Sequence, residues 1–260
     1  MNKINANWRR SIVFNGILIL GVSLFTGTPP FAQDEKKATE PASPTKPVSA
    51  KGRSDQTLTY KPPLRGNPAG RMGGGTRGGS PERSVVLAVL TPDHVGLTTK
   101  EQPTLYWYTS QTTNYPVEFT IIENKAPKAL LETRINPPTQ AGIQKVRLGD
   151  YNAHLKTGTQ YRWYIAVIPD PKNRSKDILA GGFIERIDLS ETLQTRLSQA
   201  SATQLASIYA EEGIWYDALS AISDSIDNTP SDAGLRAQRA SLLEQVRLQQ
   251  VADFDRASGK

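Results

Sequence analysis

The sequence predicts an α+β chain divided by segment, with an antiparallel β-sandwich in the middle and helices at the C-terminal end. Three observations carry this. Seven short β-type runs lie between Ser84 and Ile187, and several alternate apolar with polar residues. Turn signals separate them, among them Thr91-Pro-Asp, Asn136-Pro-Pro, Lys156-Thr-Gly and Pro169-Asp-Pro-Lys-Asn. From Leu205 to Pro230 the apolar period then changes to that of a helix–turn–helix unit.

The first 32 residues read as a secretory signal, either cleaved or kept as an N-terminal anchor. Lys3, Arg9 and Arg10 precede an apolar run from Ser11 to Phe25, and Ala32 offers a small residue at the cut. The run is shorter than the roughly 20 residues of a bilayer-spanning helix. The expectation is an exported protein, periplasmic or extracellular, with no transmembrane span in the mature chain. The sequence has 0 Cys, so disulfides and thiolate metal sites are excluded.

Residues 33–83 are poor in apolar side chains and rich in Pro, Gly, Lys and Arg. Such a stretch buries too little to offset its ordering entropy, which predicts a disordered linker. Its Arg65-to-Gly79 end is glycine-rich but lacks the Gly-Lys-Ser/Thr of a phosphate loop. The formal charge of +6 sits in the leader, with three cations and no acid, and in the linker, with ten cations against five acids. The remaining residues, 84–260, are therefore two charges negative. That distribution argues against a nucleic-acid partner and leaves the linker a weak contact with anionic envelope polymers.

The sandwich is expected over 84–188. Its runs are Ser84–Leu90, Pro103–Thr109, Val117–Glu123, Ala129–Ile135, Ile143–Leu148, Gln160–Ile168 and Ile178–Ile187. Pro103-Thr-Leu-Tyr-Trp and Leu155-Lys-Thr-Gly-Thr-Gln-Tyr161 resemble the second and sixth strand entries of an immunoglobulin/fibronectin-III-like sandwich, with Tyr161 as the corner tyrosine. Trp107, Trp163 and Phe119 fall on core positions. Alternation sends Tyr106, Tyr108 and Tyr164 to the other face, where they could form a platform for polysaccharide. Gly181-Gly182 predicts a bulge or tight bend.

The helical region is expected over 189–252. Asp188 or Ser190 can cap a helix over Glu191–Gln199, and Ser201 with Gln204 makes a capping box. Leu205, Ala206, Tyr209, Gly213, Ala218, Leu219, Ile222 and Pro230 match one tetratricopeptide (TPR) repeat, a TPR-like α-helical hairpin. One capping helix should follow over Asp232–Val251, and the tail from Asp253 to Lys260 should fray. One and a half repeats cannot bury a core alone, so the helices should lean on the sandwich or on a partner, through Leu189, Leu193, Ile214 and Trp215.

Reaction chemistry finds no support. His94 and His154 lack second ligands at metal spacing. No Gly-x-Ser-x-Gly elbow is present. Asp170, Asp177 and Glu185 could form a hydrolytic carboxylate pair only if the strands brought them together. The sequence thus predicts no catalytic residue, no cofactor and no metal. Tyr209 and Tyr216 are the candidate partner-binding residues of a non-enzymatic interaction scaffold.

The order of segments, with Thr76-Arg77-Gly78, Thr91-Pro92, Gly96-Leu97-Thr98, Gln102-Pro103-Thr104, Tyr161-Arg162-Trp163-Tyr164, Arg174-Ser175, Ile184-Glu185-Arg186 and the run Tyr209 to Leu219, resembles the cyanobacterial domain-of-unknown-function 928 family. The resemblance covers about Arg71 to Val246. It implies an exported protein without an assigned reaction, and it supplies no catalytic residues.

Overall fold

Side-chain alternation decides what meets between the two sheets of this protein. A computed structural model describes residues 57–63, 70–73 and 85–258. The strands are β1 (Leu87–Val89), β2 (Gly96–Thr98), β3 (Thr104–Thr109), β4 (Val117–Glu123), β5 (Leu131–Ile135), β6 (Gly142–Arg147), β7 (Gln160–Val167) and β8 (Ile178–Arg186). The larger sheet runs β2-β8-β7-β4-β5 and the smaller β1-β3-β6. Val117, Phe119 and Ile121 of β4 stand opposite Val167, Ile165 and Trp163 of β7. Val89 and Leu105 flank Trp107 in the smaller sheet, and all of these are buried in one apolar cluster. The Tyr161 hydroxyl accepts from the Lys156 N–H at 3.1 Å, the backbone tie expected of it.

All seven expected runs are strands. The eighth, β2, was not foreseen. It spans three residues, too few for a period of two to register, and it pairs in parallel with β8 at the sheet's edge. The sandwich is therefore not wholly antiparallel. The predicted bulge at Gly181-Gly182 is also absent, because the β7–β8 register continues through both. Those glycines make room. A Cβ on Gly181 would run into Tyr164 Cδ1, and one on Gly182 into Thr91 Cγ2.

The helices are α1 (Glu191–Ser198), α2 (Ala202–Glu211), α3 (Trp215–Asn228), α4 (Ala233–Gln245) and α5 (Gln249–Ala257). Ser190 caps α1 through the Leu193 N–H, and the Gln204 side chain accepts from the Ser201 N–H at the start of α2. Gly213, at φ 73°, lets α2 turn into α3. The expected single capping helix is instead two. Arg247 takes φ 61° and breaks the run, so α5 folds back on α4. The expected frayed tail is likewise helical to Ala257. Its Asp255 is buried and accepts two bonds from the Arg239 guanidinium at 2.6 and 2.7 Å.

The helices pack over the smaller sheet and against β2 at the edge of the larger one. Phe254 of α5 meets Tyr108 edge-on at 5.4 Å, and Lys145 of β6 pairs with Asp227 of α3. Leu193, Ile214 and Trp215 are buried as expected, whereas Leu189 is exposed. No helix among the described residues is long and apolar enough to cross a membrane. The expected signal lies outside the described residues, as does most of the linker. Two pieces of that linker are ordered against the fold, contrary to expectation. Met72 bridges Gly181 by paired backbone bonds of 2.9 and 3.0 Å, and residues 57–63 enter the helical layer.

Candidate partner-binding groove

Thr57-Leu-Thr-Tyr-Lys-Pro-Pro63 is an extended stretch whose alternation sends Leu58 and Tyr60 one way and Thr57, Thr59 and Lys61 the other. Leu58 and Tyr60 are only 3% and 6% exposed. They enter a groove bounded by the C-terminal end of α2, the turn at Gly213, the first turn of α3 and the end of α4.

The groove holds the stretch largely through its backbone. The Gln245 side chain of α4 accepts from the Tyr60 N–H at 2.8 Å and donates to the Leu58 carbonyl at 2.7 Å. The Lys61 N–H donates to the Ala210 carbonyl at 3.0 Å, satisfying an acceptor in the last turn of α2. Gly213 is bare at the crossing point: a Cβ there would meet the Lys61 carbonyl oxygen at 2.6 Å.

Tyr60 is the aromatic anchor. Its ring meets Trp215 edge-on at 5.0 Å and stacks on His94 at 5.9 Å. His94 Nδ1 lies 2.9 Å from the Val95 carbonyl, which can only accept, so Nδ1 carries the proton. Nε2 is then free to accept from the Tyr60 hydroxyl at 3.3 Å. Burial, with a smaller contribution from Tyr216, raises the Tyr60 hydroxyl far above the usual phenol range. Farther on, Arg71 donates to the carbonyls of Thr91, Val246 and Arg247.

These contacts are only moderately strong together. Burying two such side chains contributes about 1.5–3 kcal/mol each. The four hydrogen bonds, that of the Tyr60 hydroxyl included, add about 1 kcal/mol each. Ordering seven backbone residues costs about 1–2 kcal/mol each. The two sides nearly balance, so the stretch is held marginally. Beside it, an open cleft of ≈ 320 Å³ is bordered by Thr57, Leu58, Thr59, Ser241, Glu244 and Gln245.

The residues singled out from sequence fall elsewhere. Tyr216 is no docking residue, being completely buried at the junction of α3 with the sandwich. Its hydroxyl accepts from Trp163 Nε1 at 2.8 Å, donates to the Phe183 carbonyl at 2.9 Å and lies 3.0 Å from Thr91 Oγ1. Burial raises its pKa too, opposed by the bonds from Thr91 and Trp163. Tyr209 is partly buried and packs on the shared core. Its hydroxyl is raised by burial and by Asp217. Tyr106 and Tyr108 lie buried beneath the helices and Tyr164 packs over Gly181, so the three do not form an exposed platform.

The carboxylates named for hydrolysis also have separate partners. Asp177 pairs with Arg174, Asp170 with Lys176, and Glu185 accepts from Gln160. His154 sits on the surface beside Glu101. What sequence reasoning missed was the groove's occupant and Gln245. The signal for the first was present as the Leu58-x-Tyr60 alternation inside an otherwise polar stretch. Gln245 carried none, because its partners are backbone groups 185 and 187 positions away.

A family model described as Domain of Unknown Function (DUF928) matches residues 72–255. The chain belongs to that family. No curated protein matches it.

Proposed function

We propose that this family member is an exported, non-enzymatic interaction scaffold of the cell envelope that binds a protein partner through its helical end. In this reading the two sheets are an immunoglobulin/fibronectin-III-like body and α2–α3 a TPR-like hairpin, with α4–α5 as a second hairpin in place of one capping helix. The observation that carries the reading is the groove itself. It takes an extended chain by backbone hydrogen bonds and two side-chain seats, a recurring mode of peptide recognition. The leader supports export, and the partnered state of Asp170, Asp177 and Glu185 supports a binding role over hydrolysis.

The test is site-specific photocrosslinking in living cells. A photoreactive residue at Ser241, on the cleft, should yield a discrete protein adduct. One at Glu132, exposed on β5 of the sandwich, should not. Equal labelling at both positions, or turnover of wall polymers by the purified protein, would defeat the scaffold reading.

A further inference from the structure

The groove has an occupant, and that occupant states what the groove accepts. We propose that residues 57–63 are a tethered ligand that closes a binding site for extended peptides carrying a large apolar residue and a tyrosine two positions later, and that a partner segment of this kind displaces it. This deepens the scaffold reading and rests on it for the existence of a partner.

Four features point this way. First, Gln245 bonds to a carbonyl and an N–H two residues apart on one edge of the stretch, groups that any non-proline extended chain presents. Second, selectivity is confined to two seats. Leu58 fills one, and Tyr60 fills the other against Trp215 and His94, while Thr57, Thr59 and Lys61 face outward and set no requirement. Third, Pro62 and Pro63 offer no N–H, so the pairing stops where the chain crosses Gly213. Fourth, the cleft along Thr57–Thr59 is left open, so a ligand with longer side chains there would make contacts that two threonines do not.

The stretch is also tethered close to the groove. Arg71, eight positions after Pro63, is fastened to the carbonyls of Val246 and Arg247 beside Gln245. A short connection between two such anchors gives a local concentration on the order of millimolar. A weak intrinsic contact therefore suffices to keep the groove closed, and a free peptide must outcompete it. The matched family region begins at residue 72, so it includes His94, Ala210, Gly213, Trp215 and Gln245 while the stretch lies before it.

The experiment uses the full chain and a fluorescent peptide with the sequence of residues 55–65, followed by polarisation. The variant Leu58→Ala/Tyr60→Ala, which empties both seats, should bind the peptide at least about tenfold more tightly than the unaltered chain. Adding Gln245→Ala, which removes two hydrogen bonds, should weaken that binding by about thirtyfold. A peptide with aspartate at both anchor positions should not bind. A folded double variant that ignores the peptide, or equal affinity for both chains, overturns the proposal.

Should the double variant fail to fold, a protease site introduced between Pro63 and Gly70 separates stretch from groove. After cleavage, excess labelled peptide should replace the released piece, and retention of that piece through the excess overturns the proposal. Light scattering covers the remaining occupant. A dimer of the unaltered chain that is lost in the double variant would mean that a second copy supplies the stretch, against a foreign partner. These readouts concern the groove alone, so their failure leaves an adduct at Ser241 standing, and absence of an adduct leaves peptide binding standing.

Discussion

Trp215, Tyr216 and Asp217 are consecutive, yet the first turn of α3 faces two different kinds of contact. On one side it is keyed into the sandwich. Trp215 Nε1 donates to the Leu90 carbonyl at 2.8 Å, Tyr216 gathers Trp163, Phe183 and Thr91, and the buried Asp217 carboxylate accepts from Thr98 Oγ1 at 2.7 Å and from the Thr99 N–H at 2.9 Å. On the other side the same Trp215 ring meets Tyr60, whose stretch is held by two backbone N–H groups, a carbonyl and two anchors. Both contacts bury a tyrosine and both give its hydroxyl a partner. They differ in what is lost when the contact opens. Opening the first strands buried donors and acceptors on both partners, which is expensive. Opening the second returns a solvable chain to water and uncovers one groove.

The largest expected effect tests the locked side. Tyr216→Ala removes a fully buried ring, worth about 3–5 kcal/mol in comparable substitutions. It also leaves Trp163 Nε1 and the Phe183 carbonyl without that partner, at about 1–3 kcal/mol for each buried group. Denaturant unfolding should show a loss above about 4 kcal/mol in one transition shared by sheets and helices. Tyr60→Ala should leave that transition within about 2 kcal/mol of the original. Similar losses from both would erase the distinction between the two sides.

A smaller effect is expected at the hinge between them. Gly213 needs its left-handed φ of 73° to end α2, and a Cβ there would press on the Lys61 carbonyl at 2.6 Å. Gly213→Ala should cost about 1–2 kcal/mol of backbone strain. It should also expel the stretch, read as faster chymotryptic cleavage after Tyr60. Gly213→Asn sharpens the point, since asparagine tolerates the left-handed region but keeps the Cβ. Cleavage as fast in the asparagine variant assigns expulsion to the clash. Protection restored by asparagine assigns it to the dihedral.

The sandwich was readable because its information is local. Val117, Phe119, Ile121 and Tyr161, Trp163, Ile165 alternate within their own strands, and the Lys156–Tyr161 tie spans five positions. The turn at Gly213 was readable for the same reason, since a helix terminus advertises itself within a few residues. The failures are non-local. Tyr216 lies on the second helix of the expected hairpin and was read as a partner-binding residue because nothing nearby in sequence reveals Trp163, 53 positions away. Tyr106 and Tyr108 were assigned to an open face because alternation says which side a residue takes, not whether that side is covered. The break at Arg247 was hidden because a left-handed arginine carries no sequence mark. In residues 57–63 the average composition is that of a linker, and only the Leu58-x-Tyr60 phase departs from it.

Gln245 gives the finest cut between the two regions. Among the described residues its amide is the one side chain that both accepts from and donates to the stretch, and a third bond to the Ser241 carbonyl at 3.1 Å keeps it on α4. Gln245→Ala should lower the local opening free energy of residues 57–63 by about 2 kcal/mol, which is about thirtyfold faster hydrogen exchange at the Tyr60 amide. The Thr99 amide, bonded to Asp217 on the locked side, is the internal reference. It should keep its rate if the groove opens alone. Gln245→Glu separates the two halves of the bond, because a carboxylate can still accept from the Tyr60 N–H but presents a second acceptor to the Leu58 carbonyl. If exchange in the glutamate variant is as fast as in the alanine variant, the donated bond to Leu58 holds the stretch. If it stays slow, the accepted bond from Tyr60 is enough. Equal acceleration at Tyr60 and Thr99 would instead mean that the groove and the sandwich contact open as one unit, and that the stretch cannot leave while the fold remains.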